Sequence, residues 1–124
     1  VQNEIFAYDF DGVISIGITP HSLRDVIITG RCIDEQLEVY DYLKENNIIN
    51  KVYFNPITLK ERGNHSKKSR KISGFHKVNT IKYLKNNGIK ITRFFEDDKI
   101  QKKIIQNNIQ DLTIILIKSN LTQK

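Results

Sequence analysis

The fold this sequence predicts is α/β: a mostly parallel sheet of five strands with helices on both faces. Short, wholly apolar runs alternate with longer amphipathic stretches, the pattern of a parallel sheet joined by helical crossovers. The runs are continuously apolar rather than alternating, which suits strands buried on both faces. At 124 residues the chain has the length of one domain, and no linker or internal repeat divides it, so residues 1–124 read as a single domain.

The five runs are Ile5-Phe6-Ala7-Tyr8, Val26-Ile27-Ile28, Val52-Tyr53-Phe54, Ile91 to Phe95 and Leu112 to Ile117. Each is rich in β-branched or aromatic residues and too short for a helix, so each is a strand. Three helices are expected between them. In the first, Ile33, Leu37, Tyr40 and Leu43 fall at helical spacing, and Asp34, Glu35 and Glu38 stand early, where acids favour a helix start. The second repeats Val78, Ile81 and Leu84 and stops at Asn86-Asn87-Gly88, a C-terminal signal. In the third, Ile100, Ile104 and Ile105 line one face. Residues 60–71 break the pattern with six basic residues and one acidic one. With Pro56 before and Gly74 after, the expectation there is a long exposed loop.

Composition narrows the function classes. Lys and Arg number 20 against 14 Asp and Glu, a net charge of +6, and the basic segment supplies much of it. No apolar run approaches the roughly 18 residues of a membrane span, and residues 1–8 lack the pattern of a signal peptide. One cysteine, Cys32, excludes an intrachain disulfide and a cysteine-based zinc site. The expected setting is therefore reducing and intracellular (cytoplasmic or otherwise), and Cys32 reads as a packed, inert thiol. His21, His65 and His76 are not spaced as metal ligands and read as surface residues.

Chemistry gathers at the strand ends. The first strand leads into Asp9-Phe10-Asp11-Gly12-Val13, and ligands of an open parallel sheet bind beyond its carboxyl ends. Two carboxylates this close repel unless a cation or shared proton relieves them; Mg²⁺, a hard ion held by carboxylates, phosphate oxygens and water, is the natural cation. An ordinary Asp-Gly turn is the plain alternative. The second run ends in Thr29-Gly30-Arg31, the fourth in Glu96-Asp97-Asp98, and Lys77 stands near the start of the second helix.

This order of acid, hydroxyl, lysine and acid resembles the haloacid dehalogenase superfamily, chiefly phosphatases with a three-layer Rossmann-like fold, across residues 5–117. Asp-x-Asp-Gly-Val after an apolar run matches that family's first motif completely. The resemblance implies that Asp9 is the nucleophile forming an aspartyl-phosphate and that Asp11 protonates the leaving oxygen and then activates water. It implies that Thr29 and Lys77 hold and neutralise the phosphate, and that Asp97 completes a Mg²⁺ site with Asp9 and the backbone carbonyl of Asp11. Glu96 and then Asp98 are the alternatives to Asp97, and Lys82 is the alternative to Lys77. Only 16 residues separate Asp9 from Val26, room for a small flap and none for a cap domain.

Thr29-Gly30-Arg31 also resembles the phosphatase module of phage-type polynucleotide kinase-phosphatases and related RNA-repair phosphatases, which implies that Gly30 and Arg31 lie near the substrate phosphate. Lys67, Lys68, Arg70 and Lys71 would steer a polyanion toward the site. The expectation is Mg²⁺-dependent hydrolysis of a phosphate monoester at a polynucleotide end, a 3′-phosphate. A small-molecule phosphatase or nucleotidase, and a non-catalytic nucleic-acid-binding domain, remain the alternatives.

Overall fold

The computed structural model describes residues 4–118. Five strands, β1 (Ile5–Tyr8), β2 (Val26–Cys32), β3 (Val52–Asn55), β4 (Ile91–Glu96) and β5 (Thr113–Leu116), form one sheet. Its order is β3-β2-β1-β4-β5, and every neighbouring pair is parallel. The helices are α1 (Gln36–Glu45), α2 (Leu59–Arg62), α3 (Lys67–Asn86) and α4 (Lys99–Asn108), with short 3₁₀ turns at Ile14–Ile16 and Ile33–Glu35. The chain runs outward from β1 through β2 to β3, then returns to lay β4 and β5 on the other side. Between β1 and β4 the direction of winding therefore reverses, which is where a sheet of this Rossmann-like class opens a crevice.

Alternate residues along each central strand feed two cores, as the pleat requires. Ala7, Val26, Ile28 and Phe94 pack with Val78, Ile81 and Leu84 of α3 and Ile105 of α4. Tyr8 and Ile27 point the other way, onto Val39 and Leu43 of α1 and onto Phe10, Val13 and Ile14 of the β1–β2 connection. Ile27 and Ile28 are both fully buried, each adding about 1.5–3 kcal/mol of burial free energy. The β1–β2 connection carries no cap domain. It is fastened by Asp25, whose carboxylate accepts from the Phe6 and His21 backbone N–H groups (both 3.1 Å) and the Tyr8 hydroxyl (2.9 Å). Among the described residues no helix is long and apolar enough to cross a membrane.

Four expectations need correction. The basic segment is not a loop: Thr58 and Glu61 form a reciprocal cap on α2, and Ser66 caps α3 by accepting from the Ser69 N–H at 3.0 Å. Lysine and arginine are competent helix formers once a cap starts the turn, so Lys67, Lys68, Arg70 and Lys71 lie in the first turns of α3. Lys77, in consequence, sits in the middle of its helix. In the first helical segment Val39 and Leu43 face the sheet, while Ile33, Leu37 and Tyr40 are exposed. His76 is buried, whereas His21 and His65 are exposed.

Candidate active site

Asp9 leaves β1 beside β4, its backbone N–H donating to Phe95 O at 2.9 Å. The carboxylate is almost fully buried, and Oδ1 accepts from the Phe10 N–H (2.8 Å) and lies 3.2 Å from Lys77 Nζ. Glu96, the last residue of β4, meets the same ammonium: Lys77 Nζ donates to its Oε1 at 2.6 Å. Glu96 Oε2 accepts from the N–H groups of Asp97 (3.0 Å) and Asp98 (3.2 Å). Lys77 reaches the cluster from the middle of α3 because it follows Ser69 and Ser73 on the helix side that faces the strand ends. Its Nζ also stands 5.7 Å from the centre of the Phe94 ring, an additional cation–π contact. Lys82, the alternative, is exposed.

The three consecutive acids separate by role. Glu96 is committed to Lys77 and to two backbone donors. Asp98 caps α4, accepting from the Ile100 N–H (3.1 Å) and from Gln101 Nε2 (2.9 Å). Asp97 turns toward Asp9; one carboxylate oxygen from each of Asp9, Glu96 and Asp97 lies within 4.8 Å of the others, all three residues buried.

Electrostatics follow from that crowding. Burial, reinforced by the Glu96 charge, raises the Asp9 carboxyl well above its ordinary range against the pull of Lys77. The same causes push Asp97 up to about 7. Burial alone would lower Lys77, but the Asp9 and Glu96 carboxylates outweigh it and hold the ammonium above its usual value. With all three carboxylates ionised against one ammonium, the cluster would be two positive charges short, and a cation would offset the burial that raises Asp9 and Asp97. Hard oxygen donors with a charge deficit fit Mg²⁺. Asp9 and Asp97 could hold it, with Glu96 retained by Lys77.

Around the cluster opens a cavity of about 450 Å³, lined among others by Asp9, Asp11, Gly30, Arg31, Arg70, Lys77, Asp97 and Asp98. Arg31 forks both oxygens of Asp11, Nε to Oδ2 at 2.8 Å and Nη2 to Oδ1 at 2.9 Å. Its Nη1 also meets Glu35 (3.2 Å) and Glu38 (2.9 Å). Thr29 is buried behind this surface rather than on it, and its Oγ1 accepts the Arg31 N–H at 3.0 Å. Lys67 and Lys68 do not line the cavity, whereas Arg70 does. Cys32 is buried, and burial pushes its thiol up to about 11, as an inert cysteine requires.

The sequence did not single out Arg62, Ser73 or Gln101, which also line the cavity. Arg62 Nη1 donates to Gly30 O at 2.7 Å and lies 3.4 Å from Glu35, fixing the end of β2. Nothing in the sequence separates it from its basic neighbours. Ser73, on α3, packs directly against Gly30. No protein-family model, curated protein or solved structure matches this chain.

Proposed function

We propose that the chain is a Mg²⁺-dependent phosphomonoesterase that works through an aspartyl-phosphate, and that its substrate is a polynucleotide carrying a terminal phosphate, at the 3′ end. The observation that carries the reading is the buried Asp9–Lys77–Glu96–Asp97 cluster at the β1–β4 crevice, opening into a cavity with Arg31, Arg62 and Arg70 on its walls. A nucleophile beside an ammonium, with cations around it, suits attack on a phosphate dianion. An open site without a cap suits a large substrate.

In this reading an Asp9 carboxylate oxygen attacks phosphorus, and the bond from phosphorus to the ester oxygen breaks as Asp11 supplies a proton to that oxygen. Water then attacks phosphorus, Asp11 takes its proton, and the bond from phosphorus to Asp9 breaks, releasing phosphate and restoring the Asp9 carboxylate. Lys77 holds Asp9 in place and opposes the negative charge that develops, while Glu96 fixes Lys77. Asp9 and Asp97 would hold Mg²⁺, which would supply neutralisation of the negative charge on the reacting groups. Arg31 would turn from Asp11 to a phosphoryl oxygen when substrate arrives.

The test is hydrolysis of an aryl phosphate with Mg²⁺, by the wild type and by Asp9→Asn. The amide is nearly isosteric but a poor nucleophile, so turnover should fall at least a thousandfold while the circular dichroism spectrum is unchanged. Wild-type turnover by Asp9→Asn would remove the mechanism.

A further inference from the structure

A second concavity lies on the far side of α3. It runs between that helix and β3 and has a volume of about 960 Å³. β3 is an edge strand of the sheet, with no further strand beside it among the described residues. The helix side of the groove carries Lys68, Lys71, Phe75 and Tyr83; the strand side carries Tyr53 and Asn55. Phe75 and Tyr83 are 48% and 59% exposed, a large apolar cost for a surface that covers nothing. No acidic residue lines the groove. Asn55 is only 3% exposed, and its buried Nδ2 donor has no hydrogen-bond partner.

Exposed aromatic faces and lysines without acids together match single-stranded nucleic acid. Bases stack on aromatic rings, cations follow the phosphates, and sequence matters little to either. A second copy of this chain suits the groove less well, because it would bring the same lysines, on a chain of charge +6, against each other. The groove and the catalytic cavity share no lining residue; α3 divides them, with Lys68 and Lys71 lining the groove and Arg70, between them in sequence, lining the cavity.

We infer that the β3–α3 groove is a binding site for single-stranded polynucleotide, which holds the strand by stacking on Phe75 and Tyr83 with Lys68 and Lys71 against its phosphates. The groove's binding stands apart from turnover and does not rest on the phosphatase reading.

The experiment is fluorescence anisotropy with labelled ten-nucleotide single strands of DNA and RNA, on the wild type and on Asp9→Asn. Both should bind equally. Phe75→Ala and Tyr83→Ala should each weaken binding by about tenfold, leaving aryl phosphate hydrolysis unchanged. Lys68→Ser combined with Lys71→Ser should lower the log–log salt slope by about 1.4, from roughly 0.7 per lost contact. Strand binding by a wild type that hydrolyses no phosphate ester would uphold the groove and discard the phosphatase. Wild-type affinity in both aromatic variants would overturn the groove, as would a wild-type dimer that Phe75→Ala converts to monomer with strand binding unaltered.

Discussion

Lys77 and Arg31 both meet carboxylates at the site, and their surroundings decide what each contact is worth. The side chains of Lys77 and Glu96 are 1% and 0% exposed, so removing either partner strands a buried charge at a cost of about 3–5 kcal/mol. The Arg31–Glu38 pair has one side chain 72% exposed and contributes about 1 kcal/mol or less. Lys77 is thus fixed, whereas Arg31, a quarter exposed, can give up its Glu38 contact cheaply. Its forked bond occupies both Asp11 oxygens, and in the proposed reaction Asp11 must handle a proton, so a phosphate that draws the guanidinium away also frees Asp11. Asp11→Asn should cost about 10²- to 10⁴-fold on an alkyl phosphate and less on an aryl phosphate, whose leaving oxygen needs no proton. Arg31→Gln should raise KM and share that leaving-group dependence. In the double variant the two effects should couple by about 1–3 kcal/mol. Strictly additive kcat/KM values would show that Arg31 and Asp11 act independently.

Between elements, the tightest join near the site is where β2 meets α3. A Cβ on Gly30 would stand 2.5 Å from Ser73 Oγ and 2.6 Å from Ser73 Cβ. Gly30 therefore lets the helix that carries Lys77 approach the strand end, a packing role the motif alone did not reveal. Gly30→Ala should destabilise by about 1–3 kcal/mol, read by urea unfolding. Adding Ser73→Gly should recover most of that, less about 1 kcal/mol for glycine in a helix; no recovery would place the strain elsewhere. The strands were legible because both faces of each central strand are apolar, and Asp9 and the 96–98 acids were legible because they stand at strand ends; Lys77 was picked out for a helix start, whereas it stands in the middle of α3. The first half of α3 was not legible. It turns Ser69, Ser73, Gly74, His76 and Lys77 inward, since it faces a polar site, and so it lacks the apolar period that marks a helix. The buried face of α1 was misjudged for the opposite reason: apolar residues stand on both its sides, and periodicity does not say which side meets the sheet.

Across the whole molecule, buried groups tie stability to pH in opposite senses: His76 one way, Asp97 and Asp9 the other. Burial lowers His76 to about 4 from 6.5. The unfolded chain therefore takes up a proton that the native state refuses, and stability falls by roughly 3 kcal/mol as pH drops from 6.5 to 4. Asp97 behaves conversely. Raised to about 7 from 3.8, it binds its proton more tightly when folded, so its contribution is complete below pH 3.8 and is lost as pH rises through 7. Without Mg²⁺ the two trends partly cancel between pH 4 and 6.5, and above that window only the carboxylate loss continues. A cation between Asp9 and Asp97 favours their ionised forms, so the stabilisation by Mg²⁺ should grow as pH rises from 5 to 8. At a hundredfold excess over its Kd it should reach about 2.7 kcal/mol, or roughly 10 °C in Tm. Thermal unfolding with Mg²⁺ and with a chelator, for wild type, His76→Gln and Asp97→Asn, separates the two groups. His76→Gln should abolish the stability gained between pH 4 and 6.5 and keep the Mg²⁺ effect. Asp97→Asn should abolish the Mg²⁺ effect and reduce the loss through pH 7 together, the remainder belonging to Asp9, because the charge that destabilises the metal-free fold is the charge that would hold the ion. A Mg²⁺ shift that survives in Asp97→Asn, or one that is flat with pH, would place the ion away from this pair.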